Sequence, residues 1–188
     1  LLNMQVLMDF WSYDPEADAW TQLTDIPGPP RNRPIAFTIG DMAYVGGGQD
    51  INSDTVLRDF YAFDPQTNIW TPIADYPGVF PRTVSDWQFP QVGFATAGKG
   101  YVGLSYRRNG QDQDTLADFY AYDPNLDSWT ARSGFIGDIS YGLSLKGFSV
   151  SDKGFLIAYR SYPFLWVYDP SEDSWREVWG GTTGVDQT

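Results

Sequence analysis

Four times along the chain a run of alternating aromatic and smaller residues ends in Asp-Pro. A Trp follows six residues after each Asp, in DFWSYDPEADAW (9–20), DFYAFDPQTNIW (59–70), DFYAYDPNLDSW (118–129) and FLWVYDPSEDSW (164–175). The aromatic alternation predicts a half-buried strand. Asp-Pro predicts the turn after it, since Pro sets φ near −65° and the Asp side chain can bond a nearby amide. A second strand then runs through Trp20, Trp70, Trp129 or Trp175, whose recurrence marks them as packing residues. A second pattern precedes three of these hairpins. FTIGDMAYVG (37–46), FATAGKGYVG (94–103) and FSVSDKGFLI (148–157) align, each with two aromatics seven apart: Phe37/Tyr44, Phe94/Tyr101 and Phe148/Phe155. Two apolar strands are predicted in each, joined at Gly40-Asp41, Gly98-Lys99 and Asp152-Lys153.

Together the patterns make a repeat of four antiparallel strands. Asp14, Asp64, Asp123 and Asp169 are spaced by 50, 59 and 46 residues, close to the roughly 50-residue period of a kelch blade. Such a unit cannot bury its faces alone and must stack on its neighbours. The glycine pair after Tyr44-Val45, the aromatic-Asp-Pro turn and the Trp after it resemble the kelch repeat family over residues 9–178. More narrowly, FTIGDMAYVGGG followed by DFYAFDPQTNIW is similar to secreted bacterial kelch proteins labelled galactose-oxidase-like. Gly103-Leu104 and Ile157-Ala158 depart from the glycine pair. The resemblance implies an all-β, kelch-type β-propeller, one partial ring of about three and a half blades. Its divisions are the outer hairpin of a first blade (1–24), three further blades (31–75, 82–132, 143–178) and a tail (179–188) that does not supply the first blade's inner pair. Since propellers close with about 4–8 blades, the expectation is part of a larger ring, for example six-bladed. The rest of a parent chain would complete it, or, as the alternative, a second copy.

Up-and-down topology sorts the loops onto two faces. Turns after the first and third strands of a blade share one face, and the longer, variable loops share the other, where binding concentrates on rigid scaffolds. The chain carries 12 Lys and Arg against 24 Asp and Glu, a net charge of −12. The short-turn face holds eleven of the acids against Lys99 and Lys153, a net of −9. The long-loop face sets seven arginines against eight aspartates, a net of −1.

This balance opposes phosphate tracking and excludes nucleic acid as an expected partner. The chain has no Cys and no His, which removes thiolate chemistry, Cys- and His-based metal sites and the commonest general base. Copper-radical oxidase chemistry, which the galactose-oxidase label implies, therefore cannot reside in this stretch. No run of 18 apolar residues exists, so no transmembrane helix is expected.

The candidate ligand-binding residues are Arg31, Arg33, Arg82, Arg107, Arg108 and Arg160, whose planar forks suit carboxylates and polar glycans. Trp87, in an insertion before the third blade, is a candidate stacking platform, and Tyr141 stands in a further long loop. Solvated loop residues and a Trp packed on its own loop are the plain alternatives. Asp50, Asn52 and Asp54 have the alternate-oxygen spacing of a calcium loop, echoed in NGQDQD (109–114), without the Gly and distant Glu of an EF-hand. Apart from that calcium no cofactor is expected, and no catalytic residue stands out. The leading expectation is a non-catalytic recognition propeller binding a glycan or a protein through the long-loop face; the resemblance implies an extracellular, periplasmic or outer-surface location in a bacterium. The alternatives are a sugar mutarotase of the sialic-acid type, with Arg82, Arg107 and Tyr141 as first candidates, and a structural module of a surface assembly.

Overall fold

The computed structural model describes residues 8–53, 55–78, 92–109, 112–137, 144–159 and 163–180. The described residues contain no helix and sixteen strands. A first hairpin joins β1 (Phe10–Asp14) to β2 (Ala19–Leu23), and a minor pair joins β3 (Arg31–Asn32) to β6 (Gln49–Asp50). The second sheet runs β4 (Ile35–Ile39), β5 (Met42–Gly46), β7 (Phe60–Asp64), β8 (Ile69–Ile73). The third runs β9 (Val92–Thr96), β10 (Lys99–Asn109), β11 (Asp112–Asp123), β12 (Ser128–Ala131). The fourth runs β13 (Ser144–Val150), β14 (Lys153–Tyr159), β15 (Pro163–Asp169), β16 (Ser174–Gly180). All three are antiparallel and ordered as the chain runs.

The aromatics seven apart face each other across the first two strands of each sheet: Phe37 opposite Tyr44, Phe94 opposite Tyr101, Phe148 opposite Phe155. Their rings stack at 5.3, 5.5 and 5.4 Å between centroids. Two turns fall one residue earlier than expected, at 97–98 and 151–152. Ala97 (φ 51°) and Gly98 (φ 72°) both take left-handed backbone, as a two-residue hairpin requires, and this frees Lys99 to open β10. The segment NGQDQD is not a loop throughout either. Asp112, Gln113 and Asp114 pair with Asn109, Arg108 and Arg107, so the connection from β10 to β11 is a projecting ribbon. The fourth sheet likewise runs through Gly180, two residues into the expected tail.

The core lies between sheets. β9 packs between β4 and β13, which places the first strands of the three sheets side by side. Ile35, Phe37 and Phe60 of the second sheet bury against Val102 and Tyr122 of the third. Phe94, Tyr101 and Phe119 of the third bury against Leu156, Tyr168 and Trp175 of the fourth. Glycine makes this approach possible at two equivalent places. A Cβ on Gly100 would stand 2.2 Å from the Phe37 ring, and one on Gly154 would stand 2.1 Å from the Phe94 ring.

Each seam is closed by the same latch. The backbone N–H of Thr24, Ala74 and Ser133 donates to the side-chain oxygen of Asn68, Asp127 and Asp173 in the following sheet, at 2.9, 2.8 and 3.1 Å. The carbonyl of the same residue accepts from the indole N–H of Trp70, Trp129 and Trp175, at 2.9, 2.8 and 3.2 Å. The repeated Trp is therefore a seam residue in three of its four copies. Trp20 departs from the expectation: it is 66% exposed, leaning on Tyr13 with 5.0 Å between ring centroids.

Candidate functional site

The loops after β2 and β5 meet on the long-loop face because β3 and β6 tie them, Arg31 opposite Asp50 and Asn32 opposite Gln49. The tie requires glycine beside it. A Cβ on Gly48 (φ 81°) would stand 2.4 Å from the Asn32 carbonyl oxygen. Beneath the tie lies Arg31, whose side chain is only 4% exposed. Its Nη2 donates to Asp59 Oδ2 at 2.6 Å, and its Nη1 donates to Asp59 Oδ1 at 3.0 Å and to the Gly47 carbonyl at 3.2 Å. Its guanidinium also lies 5.8 Å from the Tyr61 ring centre. Gly28 (φ 87°) leaves room for the pair, since a Cβ there would stand 2.7 Å from Arg31 Nη2. A fork already spent on one carboxylate and one carbonyl is a brace, so Arg31 is built into the base of these loops.

Arg33 is exposed, has left-handed backbone (φ 53°) and stands two residues before β4. Because β4 lies next to β9 at the line of first strands, Arg33 is held where that line opens onto the long-loop face. A second brace lies nearby. Arg58 Nε donates to the Tyr76 carbonyl at 2.7 Å and the Tyr76 N–H donates to the Arg58 carbonyl at 2.9 Å. The fully buried Tyr76 hydroxyl lies 3.2 Å from Asp118 Oδ2 and 3.4 Å from the Val102 carbonyl. Burial, then the Asp118 charge, push its ionisation far upward, so it stays a neutral hydrogen-bond donor. Asp59, Arg58, Tyr76 and Asp118 were not singled out from sequence. The signal for two of them was the Asp that opens DFY in both repeats, matched by Pro27-Gly28 and Pro77-Gly78 upstream.

The calcium expectation meets a turn. Asp50 Oδ1 accepts the Asn52 N–H at 2.9 Å and Oδ2 accepts the Ser53 hydroxyl at 2.5 Å. The Ser53 hydroxyl, then the Asn52 amide, hold its carboxyl below the usual range. Among the described residues no three acidic side chains gather as a metal cage. Asp54 lies outside the described residues, as do Arg82, Trp87, Tyr141 and Arg160. Arg107 and Arg108 are described through their backbone alone, on β10 and not in a loop.

The opposite face consists of tight turns. Asp14, Asp64, Asp123 and Asp169 each accept an amide two residues on, from Glu16, Gln66, Asn125 and Ser171, at 2.8 to 3.0 Å. Lys99 reaches Asp123 at 2.9 Å and Lys153 reaches Asp169 at 2.6 Å. Much of the acidity of this face is therefore turn chemistry. The two faces differ in what their charges do: one spends them on its own backbone, the other braces its loops from below and presents Arg33.

No family model and no curated protein matches the chain. Among solved structures, that of YjhT superposes with a TM-score of 0.68 at 20% sequence identity, over 94% of this chain and 60% of that one. That likeness shows a shared all-β fold of four-stranded antiparallel sheets, and the chain spans only 60% of YjhT's length.

Proposed function

We propose that the chain is the recognition part of a kelch-type β-propeller, non-catalytic and secreted or displayed at a bacterial surface. It holds a glycan or a protein ligand on the long-loop face. The observation that carries this reading is the contrast between Arg31 and Arg33. Two arginines two residues apart are divided, one locked to Asp59 as a brace and the other exposed where the first strands begin. A rigid base under an exposed planar cation suits recognition of carboxylates and polar glycans. The lack of His and Cys in the whole sequence supports binding without chemistry.

A glycan array probed with wild type and Arg33→Asn tests the reading. Asn tolerates the left-handed backbone of this position, so the fold is expected to survive. The expected result is a discrete set of glycans, each losing tenfold or more in affinity in the variant. A wild type that binds no glycan moves the reading to a protein ligand, detected as a stoichiometric partner lost with Arg33→Asn. Binding unchanged in the variant overturns it.

A further inference from the structure

Resting on the recognition reading of the long-loop face, we infer that the ribbon made by β10 and β11 past Leu104 is a docking arm. Its ligand is an extended acidic segment of a partner protein, taken on the face that carries Tyr106 and Arg108.

The ribbon is an addition that the four-strand repeat does not need. β9 pairs with β10 only through Gly103, and β12 pairs with β11 only from Tyr120. Five further cross-strand pairs, from Ser105 with Leu116 to Asn109 with Asp112, continue beyond both. In the second sheet the corresponding connection turns back through β6 to pair with β3, and in the fourth it is residues 160–162 alone. The root of the ribbon is fixed. Leu104, fully buried, forms the bulge at which the register shifts, and on the other strand Asp118 Oδ2 accepts the Tyr76 hydroxyl at 3.2 Å. A Cβ on Gly103 would stand 2.2 Å from the Asp118 carbonyl oxygen, so the two strands meet closely there. Bulges bend and re-aim a strand, and this one divides the part of β10 that carries core from the part that carries charge.

Residues directly opposite share a face of the ribbon, so the register sorts the charges. One face takes Ser105 with Leu116, Arg107 with Asp114 and Asn109 with Asp112. Both acids of the ribbon lie on it, one of them opposite Arg107. The other face takes Tyr106 with Thr115 and Arg108 with Gln113, a cation with no acid beside it among the described residues. The two adjacent arginines therefore differ: Arg107 is matched across the strands and Arg108 is not. Tyr106 and Arg108 are two residues apart on one strand, about 7 Å, which is also the spacing of alternate residues in an extended peptide. Tyr and Arg are the residue types that concentrate binding energy at protein interfaces, and Thr115 and Gln113 add neutral hydrogen-bonding groups. Charge sets the partner's sign. On a chain of net charge −12 an acidic segment is repelled by the short-turn face and meets complementary charge at Arg108.

The probe is an array of synthetic eight-residue peptides with Asp or Glu at alternate positions, with oligogalacturonate on the same surface, read with the 188-residue chain and its variants. A discrete set of the acidic peptides is expected to bind, losing tenfold or more in affinity in Arg108→Gln and in Tyr106→Ser. Arg107→Gln with Asp114→Asn, on the other face, is expected to keep wild-type binding. Amide hydrogen exchange of the wild type across residues 105–109 and 112–116 is expected to slow when a bound peptide is added. No acidic peptide bound, equal loss in the Arg107→Gln/Asp114→Asn variant, or protection confined to other residues overturns the arm. So does oligogalacturonate bound with the same residue dependence, which would give the ribbon to an acidic glycan. Arg33→Asn in the same assay keeps the two readings apart. Loss with Arg33→Asn and none with Arg108→Gln overturns the arm and leaves the recognition reading standing, whereas loss with Arg108→Gln alone supports the arm and overturns the role of Arg33.

Discussion

At the scale of the residue, the Trp of each repeat has two distinct fates decided by what lies across the seam. Trp129 donates to the Ala74 carbonyl and packs on Phe60 and Tyr76, at 5.3 Å from each ring. Trp20 has no such carbonyl among the described residues and is largely exposed. Trp129→Phe removes the indole donor and strands a carbonyl at the seam. It is expected to cost about 1–2 kcal/mol, whereas Trp20→Phe costs less than about 0.5 kcal/mol. Urea denaturation midpoints of the two variants, at unchanged slope, measure the difference, and equal losses would contradict the latch. The cross-strand aromatic pairs were legible in the sequence because they are local, seven residues apart with a two-residue turn between. The latch was not, because Asn68, Asp127 and Asp173 meet amides 44, 53 and 40 residues upstream.

Elements show the same divide between local and distant causes. Strand type, the four-strand repeat and the Asp-Pro turns followed from alternation and turn chemistry, and the sheets bear them out in order and register. Arg31 was placed among recognition residues because its partner, Asp59, lies 28 residues on, beyond any pattern a loop can show. Arg107 and Arg108 were placed in a loop because polar residues there resemble one, whereas β10 and β11 continue as a ribbon past the bulge at Leu104 (φ 62°). The brace makes a prediction of its own. Arg31→Met strands the Asp59 carboxylate, only 27% exposed, and is expected to cost about 3 kcal/mol. Arg31→Met together with Asp59→Asn recovers part of that, as a double-mutant cycle would record. A cycle with no coupling would remove the brace.

Over the whole molecule, charge is divided between support and presentation. On the short-turn face Lys153 and then Ser171 hold the Asp169 carboxyl down at about 2. Lys99 then the Asn125 amide lower Asp123, and the Gln66 amide then the Thr67 hydroxyl lower Asp64. These carboxylates stay ionised in the folded chain at a pH where the unfolded chain has begun to bind protons. The stability they add is complete above the ordinary carboxylate range near pH ~4. It is lost as pH falls through the folded values, down to about 2 for Asp169. Lys153 is raised, chiefly by its bond to Asp169, so its share is lost only as pH rises past its folded value. Thermal melts between pH 5 and 2 are expected to show a falling Tm, with a shallower fall in Asp169→Asn; the same slope in both would contradict the assignment.

The division of the two faces is tested most directly by a single glycan-array comparison of wild type, Asp123→Ala and Arg33→Asn, each with its melting temperature recorded. The account predicts that Asp123→Ala melts lower and keeps the wild-type binding profile, while Arg33→Asn stays folded and loses it. Ligand lost with Asp123→Ala at unchanged Tm, or kept in full by Arg33→Asn, would contradict it.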